Sequence, residues 1–155
     1  MTSLCCDVLE ILRSRGLTLA TAESLTGGGI GAALTSIPGA SDVFKGGVIC
    51  YMNQIKEEVL GVSREILDRY GAVSPWTAGA MATGVRRLLQ ADIAVSVTGL
   101  AGPGGDEFGH AVGTVYIGLD CPGKSLVTEN HFLGTRDEIR EQTVTQALQL
   151  ILNNL

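Results

Sequence analysis

Leu17-Thr18-Leu19-Ala20-Thr21-Ala22, followed at once by Glu23-Ser24-Leu25-Thr26-Gly27-Gly28-Gly29, is the stretch on which the fold class turns. The first half predicts a buried strand over 17–22. The glycines open a helix that runs to about Ser36 and stops before Pro38-Gly39. Strand, polar turn, helix is the opening of an α/β unit. Upstream, Leu4, Val8, Ile11 and Leu12 repeat at helical spacing over 3–15, and Gly16 is a natural stop.

Downstream, residues 43–51 read as a strand, with Val48, Ile49 and Tyr51 favouring it. Asn53 can cap a short helix ending near Leu60, and Ser63 caps another that Gly71 ends. Ser74-Pro75 starts a longer helix whose apolar face is Ala78, Met81, Ala82, Val85, Leu88 and Leu89. Residues 92–98 form a strand, a glycine-rich loop follows to about Ala111, and 112–119 and 124–133 form two more strands. Thr135 and Glu138 make a capping box for a last helix that turns Ile139, Ala147, Leu148 and Ile151 inward. The fold class is therefore α/β. We expect a three-layer α/β/α sandwich on a mixed, mostly parallel sheet of about five to six strands, in one domain over 1–155.

Composition narrows the function classes. With 45% hydrophobic and 17% charged residues, the chain can repay the entropy of ordering and is no disordered tail or coiled coil. A net charge of −5 and a pI near 4.9 argue against a phosphate-backbone partner, so no nucleic acid is expected. No secretory signal pattern or membrane-length apolar run is present, which reads as soluble and cytoplasmic with no membrane partner. Cys5, Cys6, Cys50 and Cys121 form no C-x-x-C pair, and His110 and His131 are the two histidines. A structural zinc site is not expected, and the cysteines read as small hydrophobes, with Cys50 inside a strand.

Three places could carry chemistry. Ser24 stands where a strand hands over to a helix, beside N–H groups that lack an intrahelical partner. A serine there can be a nucleophile; equally, Ser24 or Thr26 can simply cap the helix. Gly27-Gly28-Gly29-Ile30-Gly31-Ala32 fits G-x-G-x-x-A. However, polar residues part it from the strand and no acid follows in a new strand, so a dinucleotide site is set aside. A base for Ser24 could come from His110, His131 or a lysine. Lys56, soon after a strand, shares Ser24's strand-end address, and the alternative is a solvated helix lysine. The loop from Thr98 to Asp106 can wrap a ligand with backbone groups. Arg136 and Arg140, four apart at a helix start, suit a phosphate monoester or a solvated, ion-paired face.

The residues Ala22-Glu23-Ser24-Leu25-Thr26-Gly27-Gly28, Tyr51-Met52-Asn53-Gln54-Ile55-Lys56, Gly71-Ala72-Val73-Ser74, Thr98-Gly99-Leu100-Ala101-Gly102-Pro103-Gly104-Gly105 and Val112-Gly113-Thr114-Val115-Tyr116 stand in that order. Together they resemble the signature blocks of the CinA C-terminal domain family, which includes stand-alone nicotinamide mononucleotide deamidases. The resemblance implies an amidohydrolase that converts nicotinamide mononucleotide to nicotinic acid mononucleotide and ammonia, with no metal and no cofactor. It implies Ser24 as nucleophile, Lys56 as general base and Tyr51 as a support of the pair. The substrate, a small-molecule nucleotide, would be held by Thr26, Gly27, Gly28, Asn53, Gly102, Gly104, Gly105, Arg136 and Arg140. N–H groups near Thr26-Gly27-Gly28 would hold the tetrahedral oxygen. Members form homo-oligomers, and many are fused to a larger domain; beginning at Met1, this chain reads as free-standing. Two positions depart from the family pattern: Leu25 stands where cysteine is usual, and His110-Ala111 where Lys-Pro is common. A second reading is a catalytically inactive nucleotide-binding domain, or a competence- or damage-linked partner domain, of the same fold.

Overall fold

Alternating side chains in the central strands separate two cores in the computed structural model, which describes residues 1–155. Strands β1 (Leu19–Glu23) and β3 (Ile93–Gly99) lie side by side, and their large residues Leu19, Ile93, Val95 and Val97 face one way. Ala20, Ala22 and Ala94 face the other. Successive residues of a strand point to opposite faces, so one sequence serves both layers. The sheet is completed by β2 (Phe44–Ile49), β4 (Thr114–Cys121) and β5 (Lys124–His131), in the order β2-β1-β3-β4-β5.

The handedness of the crossovers builds the layers. From β1 the chain passes through α2 (Gly29–Thr35) to β2 on one side. From β2 it passes through α3 (Asn53–Glu58), α4 (Arg64–Tyr70) and α5 (Pro75–Leu89) to β3 on the other side of β1. Two right-handed crossovers in opposite directions put their helices on opposite faces. Thus α2 joins α1 (Thr2–Arg15) and α6 (Arg136–Asn153) over the large residues, while α5 covers the small ones. The result is a three-layer α/β/α fold on a mixed, five-stranded sheet. Four of the five strands run the same way, as expected of a mostly parallel sheet, while the reversed β4 makes two of the four pairings antiparallel. Only β4 runs against the other strands.

The small-residue face lets α5 come close. Ser96 Oγ donates to Ala78 O at 2.6 Å, and a Cβ added to Gly118 would stand 2.7 Å from that same carbonyl. Helix ends follow the sequence signals. Ser74 Oγ accepts from Thr77 N at 3.0 Å, Ser63 Oγ accepts from Ile66 N at 3.1 Å, and the Thr135–Glu138 capping box is complete. Gly16 ends α1 at φ 66°.

Some boundaries differ from the expectation. Asn53 is the first residue of α3 rather than its cap; Met52 holds the cap position and no side chain caps this helix. Cys50 lies just past β2, not within it. In α5, Leu88 points outward and is half exposed, while α1 buries Cys5 and Leu9 in addition to Val8 and Leu12. The short 3-10 turn Ala40–Asp42 has no strong sequence signal. No helix is long and apolar enough to cross a membrane.

Gly118→Ala is expected to destabilise the protein by about 1–3 kcal/mol, because the methyl group overpacks the α5–sheet contact. Urea unfolding of the two proteins checks this, and an unchanged midpoint would contradict the contact.

Candidate active site

Strands β1, β2 and β3 end together at one edge of the sheet, where the strand order reverses, and a crevice at such an edge is the usual ligand site of open α/β sheets. A cavity of about 440 Å³ opens there. Ser24 and Leu25 line it after β1; Tyr51, Asn53 and Lys56 after β2; and Thr98 to Gly102, with Gly104 and Asp106 to Phe108, after β3. Ala72, Val73 and Arg136 complete the wall.

Lys56 is the unusual residue. Its side chain is 1% exposed, the largest of the fully buried ones. Nζ lies 2.9 Å from Ser24 Oγ and donates to Cys50 O at 2.7 Å and Tyr51 O at 3.2 Å. Burial pushes the ammonium below the ordinary lysine value, partly offset by the nearby Cys50 thiol, which burial itself pushes up. A neutral amine has two N–H donors and one lone pair. With both donors held by carbonyls, the lone pair is left to face the Ser24 hydroxyl.

Ser24 itself is 7% exposed, and its N–H donates to Val97 O at 3.0 Å, so its backbone is still locked into the sheet. Neither Ser24 nor Thr26 caps α2. That role falls to Glu23, whose carboxylate accepts from Ile30 N at 2.8 Å and Gly31 N at 3.0 Å. Gly27 N donates to Ser24 O and Gly29 N to Thr26 O, which leaves the N–H groups of Leu25, Thr26 and Gly28 without a partner. The free donors nearest the serine are therefore those of 25 and 26, not of Gly27.

The two arginines divide their tasks. Arg136 stands at the cavity mouth, where Nη1 donates to Gly102 O at 2.6 Å and Nη2 to Tyr51 Oη at 3.3 Å. Arg140 does not line the cavity. It turns to the back of the serine turn, with Nε on Leu25 O at 2.9 Å and Nη2 on Thr26 O at 3.2 Å. In a trans peptide the N–H points away from the preceding C=O. Pulling Leu25 O toward Arg140 thus turns the Thr26 N–H the other way. Tyr51 touches the pair through its main-chain carbonyl, while its ring is 61% exposed.

The glycine-rich loop is anchored at several points. Thr98 Oγ1 donates to Ala72 O at 2.7 Å, and Phe108 sits on Gly71, where a Cβ would stand 2.5 Å from its ring. Gly102 and Gly104 line the cavity; Gly105, Thr26, Gly27 and Gly28 do not. Gly28 instead occupies the α2 N-cap position at φ 99°, and the Thr26 hydroxyl donates to Glu23. His110 lies outside the cavity, with Nδ1 2.7 Å from Asp106 Oδ2. Sequence reasoning missed the roles of Glu23 and Arg140. The acid directly before the serine was the available signal for the first.

Comparison with known proteins places these observations. Residues 1–155 match the CinA C-terminal domain. A CinA-like protein of Synechococcus sp. is 50% identical over 151 residues, covering 96% of this chain and 36% of that protein. A competence-damage inducible protein of Bacillus subtilis is 46% identical over 154 residues, covering 99% and 37%. The chain thus spans little more than a third of these curated relatives. Among solved structures, a CinA superfamily protein from Escherichia coli superposes with a TM-score of 0.96 at 34% identity, covering 98% of this chain and 88% of the other. A competence/damage inducible protein from Agrobacterium tumefaciens gives 0.94 at 39%, covering 98% and 93%.

The lowered Lys56 value makes stability depend on pH. Between the folded and ordinary lysine values the unfolded chain binds more protons, so stability rises with pH across that window. Urea melts from neutral to alkaline pH are expected to show this rise in the wild type and to lack it in Lys56→Met; the same rise in both would refute it.

Proposed function

The chain belongs to the CinA C-terminal domain family, and on that premise we propose that it hydrolyses the amide of nicotinamide mononucleotide to nicotinic acid mononucleotide and ammonia. One observation carries the reading: a buried lysine amine, held by two carbonyls, 2.9 Å from a serine hydroxyl at the floor of a cavity.

Ser24 Oγ attacks the amide carbon and its proton passes to the Lys56 lone pair. The carbonyl oxygen becomes an oxyanion, and the unpaired N–H of Leu25, which lines the cavity, supplies a donor to it. As the intermediate collapses, the C–N bond breaks and the Lys56 ammonium gives its proton to the leaving nitrogen, which departs as ammonia. Water then attacks the acyl-serine, again losing a proton to Lys56, and the carboxylate product leaves with Ser24 restored. The carbonyl cage makes this cycle economical, since Lys56 needs no new partner in either protonation state.

Arg136 suits the 5′-phosphate. Its guanidinium has five N–H donors, and Gly102 O and Tyr51 Oη engage only part of them. Arg140, with its donors turned to Leu25 and Thr26, is not a phosphate ligand in this reading.

Ammonia release from nicotinamide mononucleotide, measured with a chelator present, tests the proposal. Ser24→Ala and Lys56→Ala are each expected to lower turnover by about three orders of magnitude or more, with the double variant little worse than either. Lys56→Arg is expected to fail as well, because a guanidinium keeps its proton. The wild-type rate should rise with pH through the lowered lysine value. A folded Lys56→Arg protein with normal turnover would remove the general base.

Arg136→Ala should weaken binding of the nucleotide by about 1.5–3 kcal/mol, the worth of a charged hydrogen bond, and spare the riboside. Calorimetry with both ligands checks it; equal losses would place the phosphate elsewhere.

A further inference from the structure

Glu23 is 2% exposed and directly precedes Ser24, yet the chemistry above gives its side chain no part. Four donors converge on it. Oε1 accepts from Thr26 Oγ1 at 2.7 Å and Ile30 N at 2.8 Å, while Oε2 accepts from Gly31 N at 3.0 Å and Thr21 Oγ1 at 3.3 Å. We propose that Glu23 is the positioning residue of the serine turn: it ties the end of β1 to Thr26 and to the start of α2, and so fixes where Ser24 and the free N–H groups of the turn point. The proposal rests on Ser24 acting as the nucleophile.

The residue type follows from the donors. Two of the four are backbone N–H groups, which cannot turn away, and a carboxylate is the side chain that only accepts. An amide in its place would set an NH₂ group against a donor. The bonds also span the turn. They run from 23 to 26, 30 and 31, so residues 24–29 form a closed segment whose two ends are fastened to one carboxylate.

The main chain of Glu23 reaches the other half of the pair. Glu23 O accepts from Cys50 N at 2.9 Å, and Cys50 O is the shorter of the two carbonyl partners of Lys56. One residue therefore holds the nucleophile's turn with its side chain and the lysine's cage with its backbone. It also occupies the first donors of α2. Of the N–H groups after Ser24, those of Leu25, Thr26 and Gly28 are left free and those of Ile30 and Gly31 are taken.

The test separates positioning from simple capping. A cap that only stabilises α2 would lower the melting temperature and leave the rate per folded molecule alone. The whole chain is prepared as wild type, Glu23→Gln, Thr26→Val and Thr26→Ser. Each is reacted with an alkyl fluorophosphonate, in which Ser24 Oγ forms a P–O bond, the P–F bond breaks, fluoride leaves and the serine proton passes to Lys56. Labelling rate is followed alongside kcat and KM for nicotinamide mononucleotide.

In folded Glu23→Gln, labelling and kcat are expected to fall together by about 30-fold or more, as a misplaced reacting group requires, with KM changed by less than about twofold. The pH midpoint of labelling should not move, because the carbonyl cage of Lys56 is main chain. Thr26→Val should lose about tenfold and Thr26→Ser should recover most of that loss. Wild-type labelling in folded Glu23→Gln, or in folded Thr26→Val should the first variant not fold, would overturn the proposal. Should the wild type label at Ser24 yet release no ammonia from the nucleotide, the substrate reading fails and Glu23 is judged on labelling alone.

Discussion

An amine kept out of water is the constraint on which the rest of the site depends. Desolvating an ammonium costs several kcal/mol, and without partners even the neutral form leaves its N–H groups unsatisfied. Lys56 meets this with the carbonyls of two consecutive residues, Cys50 and Tyr51. Consecutive carbonyls of a strand point to opposite sides, so the strand must end before them. β2 does end at Ile49, and α3 begins at Asn53, close enough to bring residue 56 back over the break. The short strand, the three-residue kink and the short helix are thus one device for holding one nitrogen.

The Ser24 turn is held from the opposite side by charge. Glu23 collects donors on the α2 side of the turn, and Arg140 collects the carbonyls of Leu25 and Thr26 from α6. An anion and a cation from two different elements pull on the same few peptide units. Helix α6 carries a second arginine one turn earlier that crosses the mouth of the cavity instead. Four residues of spacing separate a structural task from a surface one.

Much of this was legible before any coordinates. The helices and strands carried local signals in caps, glycine stops and apolar period, and the strand-to-helix address of Ser24 followed from them. Lys56 could be narrowed to a strand end by the same logic, while its pairing with Ser24 came from the resemblance. What escaped has a common cause. Glu23 bonds donors seven and eight residues ahead, and Arg140 bonds carbonyls more than a hundred residues behind. Each bond leaves one element for another, from β1 across the turn into α2 or from α6 back to that turn, so no pattern within a single helix or strand reports it. Tyr51 was expected to act on the pair and meets it through its carbonyl, an atom that every residue type supplies. The mostly parallel sheet was legible from the alternation of strands and helices, and the one reversed strand, β4, followed from the hairpin-like close of the pattern.

The seat of Phe108 has a consequence of another kind. Its ring rests in a notch that exists because Gly71 has no side chain, in a backbone conformation of φ 80° and ψ −177° that belongs to glycine. That ring is part of the cavity wall, so the wall stands on a missing carbon atom. A change at position 71 would push the ring and its loop outward while leaving Ser24, Lys56 and their bonds in place. In a lineage of such proteins, the aperture and the Ser24–Lys56 pair behind it are free to drift independently, and position 71 is where a new guest would gain admission while that pair stays as it is.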